Sequence, residues 1–563
     1  MGRSRRRKKQ GGCRGAALVL LLTAVLTAGG LGVWIAGKYV PGKEMADKSR
    51  LFHIKEGQVA IVLDNELQEE KGIYEEGQIY FPISWVNEAL NERFYWDPDE
   101  KLLVYALPDS IVYADGNTQG ENGPLFKVKE QEMYLSLGLI INYTDIRTQS
   151  FATSEIKRVF IDTSWEPYSC ALLKRDGKIR EKGGVKSPIV TDVLKEDRVQ
   201  VLETMDKWSR VRTGDGYIGY VENRKLEAAE PVTPVSSFEE PVYTHITMDE
   251  KVRLGFHQVT TLNANSTLEA YASQAKGMNV IVPTWFNVTS NDGTYTSLAS
   301  RDYVEKAHDM GLQVWAMVEN VSTQESVKNL DTKELMSSTS TRKKLIENLM
   351  KEADTYGFDG FNLDFESLKK EAGPHYVQFI RELSVACRNR GLVLSVDNYV
   401  PSSYTAFYNR KEQGAVADYV IVMGYDEHYA GGEAGSVSSI PYVREGIENT
   451  LKEVPKERVI NAVPFYTRVW TVKDGGTTSK AYGISDARAW VEENQVELTW
   501  DKLLGQYYGE TVTAEGTQSI WLEEEESLQL KIDLVKEFDL AGVACWKLGF
   551  EPADIWDIVS QVE

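Results

Sequence analysis

From residue 243 to the C-terminus, short apolar stretches alternate with amphipathic ones, and that alternation narrows the folds open to the chain. The apolar stretches VRLGFHQ, MNVIVPTWF, LQVWAMVEN, FDGFNLDFE, LVLSVDNYV, ADYVIVMGYD, VINAVPFYT and AGVACWKLG have strand length and are rich in branched and aromatic residues. Between them, segments such as STRKKLIENLMKEADTYG and HYVQFIRELSVACRNRG carry a helical period. Eight buried strands with crossover helices predict an α/β architecture, a (β/α)8 barrel over 243–563. A doubly wound open sheet is the rival, but no glycine-rich phosphate turn follows the first strand.

The chain has 563 residues and 42% apolar content, enough for several domains with proper cores. Its formal charge is −21. Residues 1–15 hold seven Lys or Arg and no acid, so the rest carries −28, the total less the tail's +7. A body this acidic repels phosphate backbones, which argues against nucleic acid as partner and leaves uncharged polymers open. Residues 16–37 form an uncharged apolar run long enough to cross ~30 Å of hydrocarbon. The basic tail 1–15 then stays in the cytoplasm and the remainder lies outside the cell membrane, single-pass. The competing reading is a signal segment removed after export, which would make the protein secreted. Cys13, Cys170, Cys387 and Cys545 are too scattered for a disulfide framework or a metal site, and the six histidines form no cluster. No metal and no cofactor are expected.

Residues 51–165 contain an internal repeat: QIYFPISWVNEAL with FYWDPDEKLLVYAL, then EMYLSLGLIINYT with SFATSEIKRVFID. Each copy predicts a strand, a short amphipathic helix and a hairpin, an α+β accessory module. The pattern resembles the copper amine oxidase N-terminal-like domain, though no copper ligands are visible. Residues 186–227 predict short strands of a small β-barrel, and Trp208-x-x-Val211 with Gly219-Tyr220-Val221 resembles a bacterial SH3 domain. That resemblance implies a hold on cell-wall material. A Pro-rich acidic linker over 228–242 separates this module from the barrel.

Chemistry in such barrels sits at the C-terminal strand ends. The fourth strand ends in Asn362, Asp364 and Glu366, which alternation places on one face, with Phe361, Leu363 and Phe365 on the other. Two carboxyl groups packed into a barrel mouth disfavour each other's ionisation, so a purely structural pair is a poor explanation. Asp359-Gly360-Phe361-Asn362-Leu363-Asp364-Phe365-Glu366 resembles the D-G-x-D-x-D-x-E signature of glycoside hydrolase family 18, which includes chitinases and spore-cortex and peptidoglycan glucosaminidases. Met423-Gly424-Tyr425-Asp426 on the sixth strand is similar to the family's M-x-Y-D, and Trp546 on the eighth to its subsite tryptophan. Asn362 departs from the usual Asp: an amide can hydrogen-bond Asp364 but takes up no negative charge.

The resemblance implies Glu366 as proton donor and later base, with the substrate's own N-acetyl carbonyl attacking the anomeric carbon. It implies Asp364 and Tyr425 positioning the acetamide, and Asp426, Asn362, Met423 and Trp546 lining the sugar site, with Trp546 as its floor. Trp285, near the second strand end, is a further candidate for sugar stacking, whereas Trp315 and Trp470 read as core. Strand parity turns Gly542, Ala544 and Trp546 inward and Val543 and Cys545 toward the helices. The expected substrate is a β-1,4-linked N-acetylglucosamine polymer, peptidoglycan or chitin. The alternative is a weak or inactive wall-glycan lectin; the presence of Glu366 speaks against it.

Overall fold

The computed structural model describes residues 40–320 and 330–563, together with Thr27. The expected membrane segment 16–37 lies outside the described residues, Thr27 apart. Among the described residues no helix is long and apolar enough to cross a membrane. The chain forms two compact units, one of residues up to Phe94 with Gly116–Glu240, the other of Tyr95–Asp115 with Pro241–Glu563.

The first unit holds two seven-stranded sheets. In the first, both copies of the repeat place a strand before a helix: Gln78–Pro82 leads into Ile83–Ala89, and Glu132–Ser136 into Leu137–Tyr143. Ser136 caps the second helix by accepting from the Leu139 backbone N–H at 3.2 Å. The second copy's hairpin, Arg147–Ser150 with Arg158–Asp162, joins the sheet through parallel pairing with Gln58–Leu63. The second sheet is antiparallel and covers 168–232, so strands Tyr168–Leu173 and Gly177–Arg180 precede the expected SH3-like span. The start of the expected linker is strand as well: Leu226–Val232 pairs with Tyr168–Leu173. It lies at the sheet edge, where Pro231 removes no needed ladder bond.

The second unit is built on eight parallel strands: Val252–His257, Val280–Pro283, Gln313–Glu319, Gly360–Asp364, Val393–Tyr399, Tyr419–Met423, Val459–Pro464 and Gly542–Trp546. Each pairs with its sequence neighbour; the first pairs with the eighth and the second with the third, so the barrel closes. Alternation sorts their side chains into two apolar layers. Phe361, Leu363, Phe365, Val543 and Cys545 pack outward against the helices. Trp315, Met317, Ile421, Met423, Tyr425, Ala544 and Trp546 belong to the inner layer. The fourth strand needs Gly360, because a Cβ there would sit 2.6 Å from the Val393 carbonyl oxygen and 3.1 Å from the Trp315 ring.

Two additions were not expected from the sequence. Between the seventh and eighth strands, Tyr466–Leu522 forms a five-stranded antiparallel sheet with the helix Ile484–Glu493. A fully buried Lys531–Glu523 ion pair at 2.9 Å ties its end to the helix Glu525–Glu537. The first repeat copy's hairpin, Tyr95–Asp97 with Leu102–Ala106, belongs to this unit rather than to the sheet of its repeat. Asp97 accepts from both the backbone N–H and the hydroxyl of Thr339 at 2.7 Å, capping the helix Thr339–Tyr356. Arg342 donates to Glu382 at 2.9 Å and to the Tyr95 hydroxyl at 3.2 Å, with both charged side chains fully buried. Arg342→Met leaves the Glu382 carboxylate without its cation and is expected to lower the unfolding free energy by about 3–5 kcal/mol in denaturant titrations. Arg444→Met, at an exposed pair with Glu537, should change it far less.

Candidate active site

Asp359 anchors the fourth strand at its entry: its Oδ2 accepts from the Val314 backbone N–H and faces His308 Nε2, both at 2.8 Å. From there the strand carries Asn362 and Asp364, both buried, toward the barrel mouth. Asn362 Nδ2 donates to Ser395 Oγ at 3.0 Å and to Asp397 Oδ1 at 2.8 Å. Glu366 lies just past the strand end and is held there by Asn320. Asn320 Oδ1 accepts from the Glu366 N–H at 2.7 Å, and Asn320 Nδ2 donates to the Glu366 carbonyl at 2.9 Å. Glu366 Oε2 accepts from the Tyr399 hydroxyl at 2.7 Å.

The mouth therefore concentrates acids in a dry space. Burial pushes the Asp364 carboxyl well above the usual range, and Glu366, Asp397 and Glu319 push it further. Asp397 is raised to about 8, chiefly by burial and against the pull of the Asn362 amide. Glu319, the register neighbour of Asp364, is raised to about 7 by burial, with the hydrogen bond from Asn287 opposing and Glu366 adding. Glu366 is raised by burial, lowered by the Tyr399 hydroxyl and raised by Asp426. Such a cluster shares its protons, and at neutral pH several carboxyls stay protonated. Asp364 Oδ1 and Asn362 Oδ1 are buried acceptors without a donor among the described residues.

The sixth strand adds Met423 and Tyr425 to the inner layer. Burial first, then the neighbouring acids Asp397, Asp364 and Glu366 and the Tyr466 hydroxyl, keep the Tyr425 hydroxyl protonated and able to donate. Asp426 is exposed, in a left-handed turn at φ 58°, and accepts from the Tyr466 hydroxyl at 2.6 Å. Trp546 closes the eighth strand half-buried, its ring 5.3 Å from that of Phe256. Trp285 does not face this space. At 1% exposure it packs in the outer layer against Tyr303 and Phe358, and its Nε1 donates to Asn265 Oδ1 at 2.9 Å. Alternation along the second strand gives the same side: Val280 and Val282 belong to the inner layer and Ile281 to the outer, and residue 285 continues the outer face. Trp315 and Trp470 are fully buried.

Ser395, Asp397 and Glu319 were not singled out from the sequence. The signal was present: Ser395, Asp397 and Tyr399 alternate along the fifth strand just as Asn362 and Asp364 do along the fourth. Tyr466 and Asn320 follow strand ends, where no periodicity marks them.

The family model of glycosyl hydrolases family 18 matches residues 252–551, more than half of the chain, and the bacterial SH3 domain model matches 175–227. The chain belongs to glycosyl hydrolase family 18. The cortical fragment-lytic enzyme of Bacillus subtilis (strain 168) is 28% identical over 235 residues, 40% of this chain and 54% of that protein. The chain thus spans about half the length of that relative. The uncharacterized glycosylase YvbX of the same organism is 26% identical over 292 residues, 50% of this chain and 84% of the relative. A crystal structure of a chitinase from Chromobacterium violaceum ATCC 12472 shares the fold with a TM-score of 0.50 at 22% identity, covering 55% of this chain and 98% of that one.

Removing the Tyr399 hydroxyl withdraws a donor that favours ionised Glu366, so the Glu366 pKa must rise. Tyr399→Phe is expected to move the alkaline limb of the pH–rate profile upward by about half to one unit. A limb that stays put would separate Tyr399 from the group that sets it. Asp397 bears on stability. Its folded form keeps a proton up to about 8 that the unfolded chain releases near ~4. Its contribution is therefore full below about pH 4 and is lost as pH rises toward 8. Asp397→Asn should flatten that decline in thermal melts taken across this range.

Proposed function

We propose that the barrel hydrolyses β-1,4 linkages of an N-acetylglucosamine-containing glycan, with Glu366 as general acid and then general base. The observation that carries this reading is the gathering of Asp364, Glu366 and Tyr425 at one mouth, with the acids' proton affinities raised. A carboxyl still protonated near neutral pH can deliver its proton to the glycosidic oxygen as the bond to the leaving sugar breaks. Asp364 is a poor candidate for a covalent nucleophile, because its surroundings hold its proton. The acetamide carbonyl of the substrate then attacks the anomeric carbon, forming an oxazolinium ion with retention of configuration overall. Asp364 Oδ1 accepts the acetamide N–H, and the Tyr425 hydroxyl donates to the acetamide oxygen. Glu366, now ionised, takes a proton from the water that opens the ring. Asp426, Asn362, Met423 and Trp546 border the bound sugar, and Trp546 offers it a ring to stack on.

Peptidoglycan is the favoured polymer, supported by similarity to a cortical fragment-lytic enzyme and by the SH3 domain match. Residues 168–232 would hold the wall, and residues 51–165, whose repeat supports the copper amine oxidase N-terminal-like resemblance, would act as a spacer. Residues 16–37 would fix the chain in the membrane with both units outside.

Glu366→Gln is expected to cut turnover by about 10³-fold while leaving the melting temperature unchanged. A fully active variant would remove Glu366 from the reaction. Mass spectrometry of products from peptidoglycan and from chitin should show cleavage on the reducing side of N-acetylglucosamine. Release from chitin alone would reverse the choice of polymer.

A further inference from the structure

The first unit carries a groove of about 840 Å³ against its antiparallel sheet. Six cations line it, Lys43, Arg175, Lys178, Arg180, Arg224 and Lys225, against the acids Asp176, Asp192 and Glu222. This local excess of three positive charges sits in a chain whose net charge is −21. The acids are already engaged. Glu222 is shared by Arg224 at 2.8 Å and Lys225 at 3.8 Å, Asp192 takes Lys178 at 2.6 Å, and Asp176 accepts from the Lys195 N–H at 2.9 Å. Buried Arg180 donates to the backbone carbonyls of Ser187 and Gly42 and makes no ion pair among the described residues, with Glu222 acting on it only at longer range. Burial disfavours the charge on Lys225, and Arg175, Arg224 and Arg180 add to that against the pull of Glu222. Trp208 is half-buried in the wall of the groove, and Val40 and Leu194 are 53% and 63% exposed beside the cations.

The position of this groove along the chain selects its partner. Residues 40–46 are fixed to the sheet: the Gly42 N–H donates to the Val185 carbonyl, the Ala46 N–H to that of Ile189, and the Ile189 N–H to that of Glu44, each at 2.8 Å. A Cβ on Gly42 would stand 2.9 Å from the Lys186 carbonyl oxygen, so the close approach needs glycine. The apolar run ends at Gly37, and only Lys38 and Tyr39 separate it from Val40. Three residue steps reach about 10 Å, close to one Debye length at physiological salt. Lys and Tyr directly after an apolar run suit the membrane–water interface.

We propose that this groove binds the phosphate headgroups of anionic lipids, holding the first unit against the bilayer in which residues 16–37 are embedded. The inference rests on the membrane reading of 16–37. Arg and Lys take the phosphates, while Val40, Leu194 and Trp208 meet the interfacial zone.

The test uses the full chain in nanodiscs of phosphatidylcholine, with or without phosphatidylglycerol, each carrying headgroup nitroxide lipid. A bimane label is placed on Leu194→Cys in a Cys13→Ser background; the other three cysteines are buried. Co-purification with the discs reports on the membrane segment, and quenching of the label reports on the groove. The expected result is quenching that is at least about fivefold stronger with phosphatidylglycerol, weakened by salt, and lost in Arg175→Glu/Lys178→Glu with co-purification unchanged. A chain that fails to co-purify overturns the membrane reading and the proposal together. A chain that co-purifies but is quenched equally in both discs, or whose label responds to soluble phosphate polymer from the wall and not to lipid, overturns the groove assignment alone.

Discussion

Four carboxyl groups, Asp364, Glu366, Asp397 and Glu319, come together at the mouth of a closed parallel barrel, where Glu366 opposes the ionisation of the other three. Beneath them the inner layer of Trp315, Met317, Met423 and Tyr425 is buried, so little screening reaches the acids from that side. Burial and mutual repulsion together raise the proton affinities of these acids. Barrel closure is the condition for all of this. Strands splayed into an open sheet would wet the same residues and return them to ordinary acids.

Asn362 sets how far the crowding goes. A carboxylate there would stand within 2.8 Å of Asp397 and would need to share its proton. The amide instead donates to Asp397 and to Ser395, tying the fourth strand to the fifth without adding charge. Glu366 lies beyond the last ladder pair, and Asn320 supplies in its place the two backbone bonds that a strand would have made. Both motif ends turn sharply: Ser367 and Asp426 adopt left-handed conformations at φ 55° and 58°.

Much of this was legible along the chain. Parity on the fourth strand separates Asn362 and Asp364 from Phe361 and Leu363, and parity on the eighth separates Ala544 from Cys545, because a buried strand exposes alternate residues to opposite layers. The same rule, applied to LVLSVDNYV, would have named Ser395, Asp397 and Tyr399 together. Applied to MNVIVPTWF, it would also have turned Trp285 outward with Ile281, where it is found. The inserted sheet of 466–522 escaped notice because its strands, such as Gln506–Thr513, are half polar and pair locally, without the continuous apolar run of a barrel strand.

The sequence by itself determined the barrel, the order of its strands and which residues of the fourth, sixth and eighth strands face inward, since these follow from hydrophobic period and chirality alone. Tertiary structure alone decided which strand ends meet: that Tyr399 reaches Glu366, Tyr466 reaches Asp426, and Asp397 meets the Asn362 amide. It also decided that one hairpin of a repeated pair, residues 95–106, belongs with the barrel rather than with its repeat. Those contacts join residues from about 33 to more than 240 positions apart in the chain, and no local period encodes a distance of that kind.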